Sequence, residues 1–204
     1  MRPRTRPDHD RLYEMASQQA AYFTAEQARR CGFSGQLISW HVRAGRFTRV
    51  RRSLYRLKRY PASPDDHIVE ARLAAGAGAV VSHESALSLH TLSDVVPSSV
   101  HLIVPRSHRW IAGRGPRGVT IHTTTKPLPS EVIITHGAVR VTSPARSIVD
   151  AAESGTAPEQ ILIAIRQALE RGLITPRELR AVAAGRSARV QRLMHRGIRE
   201  VPAA

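Results

Sequence analysis

The 204-residue sequence predicts an α+β protein: an N-terminal winged helix-turn-helix followed by a mixed α/β domain with a small sheet and several helices. Three observations carry this. Helical spacing and capping signals mark three short helices before residue 46, two strand-like runs follow at once, and basic charge concentrates on the same segment. Residues 1–64 hold fourteen Lys/Arg against four acids (Asp8, Asp10, Glu14, Glu26), a net +10, while residues 65–204 carry a net +5. Between Gln27 and Pro64 there are ten basic residues and no acidic one. Such a surface repels itself, and a polyanionic partner is a physical reason to keep it, against the plainer reading of a solvated basic face.

Residues 8–20 have helical spacing, with Leu12, Met15 and Ala16 on one side. Thr24 and Gln27 stand at capping-box spacing and open a second helix, which Cys31-Gly32 closes. Ser34 caps a third helix that runs to Ala44 and stops at Gly45. Phe47-Thr48-Arg49-Val50 and Ser53-Leu54-Tyr55-Arg56-Leu57 then read as the two strands of a wing. Pro61 and Pro64, with the charge reversal at Asp65-Asp66, mark a linker.

Beyond it, 66–75 and 82–90 read as helices, and 100–104, 119–123, 132–135 and 139–141 as strands. Helices return at 144–153, 158–171 and 176–184, each with proline at its start. Gly113–Gly118 reads as a hairpin or mobile loop that lacks the ending of a phosphate-binding P-loop. The expected domains are residues 1–62 (winged helix), 66–185 (α+β) and 186–204 (a basic, frayed helical tail).

At 100° per residue, Leu37, Ile38, His41 and Val42 fall on the apolar side of the third helix, and Gln36, Ser39, Trp40 and Arg43 on the other. That polar face suits a major groove, where glutamine pairs with adenine and arginine with guanine. Trp40 sits at the margin and serves equally well as packing. Arg46, Arg49, Arg51 and Arg52 lie along the wing and Lys58 just after it, placed for phosphates or a minor groove. These nine residues are the expected double-stranded DNA contacts.

Other classes find less support. Cys31 is the only cysteine, so there is neither a disulfide framework nor a cysteine zinc site. The histidines include no paired spacing such as HExxH and read as structural, with no metal or other cofactor expected. His83-Glu84 reads as the start of a helix capped by Ser82, and Arg146 and Asp150 as an i,i+4 pair. No apolar run approaches the roughly 20 residues needed to span a bilayer, and a cytoplasmic protein is expected. No catalytic residue emerges: a metal-dependent nuclease needs clustered carboxylates with a lysine, and after Asp150 there is neither lysine nor a further aspartate.

Tyr22-Phe23-Thr24-Ala25-Glu26-Gln27-Ala28, Gly32-Phe33-Ser34 and Val42-Arg43-Ala44-Gly45-Arg46-Phe47 leading to Leu54-Tyr55-Arg56-Leu57 resemble the N-terminal domain of AbiEi-type antitoxins. Ser82-His83-Glu84-Ser85-Ala86-Leu87, the Val100–Pro105 strand and Val141–Asp150 are similar to that family's second domain. Where the family has a glycine before the wing tyrosine, this chain has Leu54. The resemblance implies a type IV toxin–antitoxin (abortive infection) protein. Its winged helix would repress its own operon at inverted repeats in the promoter, and the second domain would counteract a nucleotidyltransferase-like toxin. Two alternatives remain: a one-component transcriptional regulator without a toxin, and a toxin-neutralising interaction protein that does not bind DNA.

Overall fold

A computed structural model describes residues 6–108, 118–136 and 139–201. The chain is α+β and divides into two compact units: the first comprises the described residues up to Ala77 together with Val139, and the second the described residues of 78–136 and those from Arg140 onward.

In the first unit, α1 (His9–Ser17) starts where the Asp8 carboxylate accepts the Arg11 N–H at 2.9 Å. After β1 (Tyr22–Thr24) comes α2 (Ala25–Arg30), opened by a capping box in which Thr24 and Gln27 bond each other's backbone N–H. The next turn passes through Gly32 at φ +83°, where a Cβ would lie 3.0 Å from the Arg6 carbonyl oxygen. Helix α3 (Gly35–Arg43) is capped by Ser34, and β2 (Phe47–Arg51) and β3 (Leu54–Leu57) form the wing. The three strands pair antiparallel in the order β1-β3-β2. Leu12, Ala16, Phe23, Ala28, Phe33, Ile38 and Phe47 form the core beneath them.

Two features of the first unit differ from the sequence expectation. The strand β1 was not expected; three residues are too few to show alternation. Helix α4 (Asp66–Ala75), expected to begin the second domain, packs on β1 within the first unit. Its acidic side meets the wing: Arg56 pairs with Asp66 at 3.1 Å and Arg51 with Glu70 at 2.5 Å. The charge reversal at Asp65-Asp66 therefore supplies a docking contact.

The second unit is built on a mixed sheet in the order β6-β5-β4-β8-β7: β4 (Val80–Val81), β5 (Val100–Pro105), β6 (Val119–Thr124), β7 (Ile133–His136) and β8 (Val139–Thr142). Strand β4, unpredicted, joins the sheet by pairing antiparallel with β5 and parallel with β8. Helix α5 (His83–Leu89) follows β4 directly. Helices α6 (Pro144–Ser154), α7 (Pro158–Glu170) and α8 (Pro176–Ala183) each carry proline in their first turn. The residues expected to fray form α9 (Ala188–Glu200), whose Val190, Met194 and Gly197 are buried. With Leu87, Ile148, Ile161, Ile165 and Leu179, Val190 and Met194 complete a largely helical core. Arg146 and Asp150 make the expected pair at 2.6 Å, and Arg186 binds the other oxygen of the same buried carboxylate. Loop residues 113–117 lie outside the described residues. Among the described residues, no helix is long and apolar enough to cross a membrane.

His90, at the end of α5, is buried, with its Nε2 2.8 Å from the Thr142 carbonyl oxygen. Burial lowers its pKa despite that bond, and His136 and Arg171 push the same way. As pH falls below about 6.5 the unfolded chain takes up this proton first, so the stability is complete above that value and declines below it. The expected result is a lower urea midpoint at about pH 5.5 than at about pH 7.5, with a shallower pH dependence in His90→Gln. Parallel dependences in the two proteins would show that His90 does not contribute.

Candidate nucleic-acid interface

At the start of α3, Ser34 satisfies one of the orphan N–H groups of the first turn: its hydroxyl accepts from Leu37 at 3.1 Å. The apolar side then sets its rotation. Ile38 and His41 are buried and Leu37 and Val42 half-buried, so Gln36, Ser39, Trp40 and Arg43 are left exposed, as the helical periodicity predicts. Ser39 uses its hydroxyl to bond the Gly35 carbonyl at 2.9 Å and keeps lone pairs for an outside donor.

His41 is a core residue. Its ring stacks on Phe47 with centroids 4.6 Å apart and meets Trp40 edge-on at 4.9 Å. Burial lowers its pKa, reinforced by His9 and Arg46, so the helix rests on the wing through a neutral ring. Trp40 is 46% exposed and carries the Arg46 guanidinium 5.1 Å above its ring. It thus both packs and faces solvent, and it fixes Arg46 at the edge between helix and wing.

On the wing, β2 and β3 shift register between Arg49 and Arg51, which alters the twist at the tip. The tip turns through Ser53 at φ +60°, a left-handed conformation that the following Leu54 avoids. Leu54 is buried, so the residue that departs from the family pattern anchors the wing instead of turning it. Arg49, Arg51, Arg52 and Lys58 are all exposed. Arg51 differs from the others because its Nε is engaged by Glu70. The structure thus gathers all nine predicted residues on one unit, with Arg51 already partly neutralised. Sequence spacing could not reveal that pairing, because the two residues meet only through the docking of α4.

Residues 10–58 match a family described as a transcriptional regulator, AbiEi antitoxin, and residues 76–196 match the AbiEi antitoxin C-terminal domain. The chain belongs to the AbiEi antitoxin family. Both matches are to regulatory, antitoxin domains, and the second begins close to the division between the two units. The crystal structure of the RV2827C protein from Mycobacterium tuberculosis is similar to this AbiEi-family chain, with a TM-score of 0.58. The likeness covers 91% of this chain and 75% of that one at 12% identity, and so concerns the fold alone. No curated protein matches the sequence.

Proposed function

We propose that this AbiEi-family antitoxin binds double-stranded DNA at inverted repeats in its own promoter, represses its operon, and counteracts a cognate nucleotidyltransferase-like toxin. The observation that carries the reading is the exposed polar face of α3 beside an arginine-bearing wing, on a unit whose segment from Gln27 to Pro64 contains no acid. Gln36, Ser39 and Arg43 read base edges, while Arg46, Arg49, Arg52 and Lys58 hold phosphates and Trp40 braces the edge of the helix. Arg51 joins them to the extent that a phosphate displaces Glu70. The protein has no catalytic step of its own and acts in the cytoplasm, where its DNA lies. The first unit carries the repression and the second the action against the toxin.

A mobility-shift titration with footprinting on the upstream DNA tests this. Arg43→Ala is expected to cost about 1–3 kcal/mol on the operator while leaving random DNA unaffected. Arg52→Ala is the better phosphate probe than Arg51→Ala, because Arg51 is paired. It should weaken binding to all sequences and reduce the salt slope by about one. Unchanged operator binding in both variants would exclude the interface. If both variants still protect cells from the toxin while losing the operator, the two activities reside in different parts of the chain.

A further inference from the structure

The second unit brings together three histidines that are far apart in sequence. Strands β5 and β6 pair in parallel with His101 opposite Thr120 and Ile103 opposite His122. Alternate residues share a face, so His101 and His122 stand on the same side of the sheet. Ser99 and Thr120 on that side share a hydrogen bond of 2.7 Å. The first turn of α5 is pinned over this pair. Ser82 donates its N–H to the His101 carbonyl at 3.0 Å. His101 in turn donates its N–H to the Ser85 hydroxyl at 2.9 Å, and that hydroxyl donates to the Ser99 carbonyl. His83 thereby lies over His122, with ring centroids 3.6 Å apart.

We infer that His83, His101 and His122 bind one divalent transition-metal ion of the zinc class. One ligand nitrogen from each lies within 4.8 Å of the others, and Nδ1 of His101 is 3.1 Å from Nε2 of His122. Two imidazoles on one zinc, with bonds near 2.0–2.1 Å, place their nitrogens roughly 3.3 Å apart, so that pair already stands at ligand spacing. The Ser82 hydroxyl lies 2.8 Å from Nδ1 of His83, leaving Nε2 for the ion. A hydrogen bond of this kind on the second nitrogen is the usual companion of a metal-bound histidine. It also explains why Ser82, at the N-cap of α5, makes no side-chain cap bond. His83 holds a left-handed φ of +52°, a costly backbone state for a side chain of its size, at the point where its ring enters the cluster.

The local chemistry agrees. Burial, reinforced by His122 and His101 and then by Arg146 and Arg186, pushes His83 down to about 2, and burial also lowers His101 and His122. All three are therefore neutral ligands at physiological pH. The two guanidiniums that act on His83 share the Asp150 carboxylate, and the Glu84 carboxylate acts on His101. Two nearby cations are thus matched by two anions, and the cluster is not a positive pocket. Among the described residues the group contains no fourth ligand, so a bound ion keeps a position open to water.

The test uses the full chain, freed of any affinity tag and stripped with a chelator. Titration with Co²⁺, followed by visible absorption, and with Zn²⁺, followed by calorimetry, should show one equivalent bound. His101→Gln and His122→Gln should each weaken binding by more than about 100-fold, above what losing an outer-shell partner alone produces. Ser82→Ala should weaken it by about 10–100-fold, and it keeps the inference testable if the histidine variants fail to fold. Zinc should raise the melting temperature of the wild type and not that of the histidine variants. A chain that binds no metal, or whose binding survives His101→Gln/His122→Gln and disappears with the surface pair His67→Gln/His195→Gln, would overturn the assignment.

Discussion

Phe23→Ala is expected to remove about 3–5 kcal/mol from the first unit and to abolish operator binding without touching any DNA-facing residue. The Phe23 side chain, on β1, is fully buried. Its ring meets Phe47 of the wing edge-on at 4.9 Å and stacks against Tyr55 at 5.8 Å. Phe47 in turn carries His41 of α3. Alanine would leave a cavity between the two elements that present the candidate interface. A two-transition urea melt would locate the loss: the first unit should unfold early while the second keeps its midpoint. A cost below about 1 kcal/mol would mean that the site collapses around the deletion and that the ring stack is not what aligns helix and wing.

That dependence was only partly legible in the sequence. The capping residues Thr24 and Ser34 announce two helices because their chemistry is local, and the structure places each as an N-cap; the Asp8 cap of the first helix emerges only in the structure. The polar face of α3 is equally local, since periodicity alone divides Gln36, Ser39 and Arg43 from Ile38 and His41. What the sequence hides is non-local. Strands β1 and β4 are too short to alternate and owe their existence to β3, β5 and β8. Proline and acidic residues around position 65 suggest a boundary, but that α4 docks on the first unit shows only in its packing on β1 and its pairing with Arg51 and Arg56. The three histidines illustrate the same limit: no spacing rule links positions 83, 101 and 122. Only the parallel register of β5 and β6 and the short step from β4 to α5 make them neighbours.

Gly197→Val is expected to destabilise the second unit by about 3 kcal/mol, the upper part of the range for overpacking a core. The basic composition of residues 186–204 conceals why. Arg189, Arg192, Arg196 and Arg199 dominate α9, yet Val190, Met194 and Gly197 recur at helical spacing and are buried. At Gly197 the helix lies so close to α7 that a Cβ would fall 2.6 Å from Cδ1 of Ile165, 3.1 Å from its Cγ2 and 3.2 Å from its Cβ. Ile165 is fully buried and has no solvent into which to swing. Removing a helical glycine gains at most about 1 kcal/mol, so the clash wins. The cause can be isolated by a double-mutant cycle. Ile165→Val deletes the Cδ1 that makes the shortest contact, so Gly197→Ala should cost less in the Ile165→Val background than in the wild type. If Gly197→Val changed the urea midpoint by less than a 1 kcal/mol equivalent and the cycle showed no coupling, α9 would be the loose tail its charge suggests. If the clash is real, removing residues 187–204 opens the core around Ile161, Ile165 and Leu179, and the second unit should lose its cooperative melt.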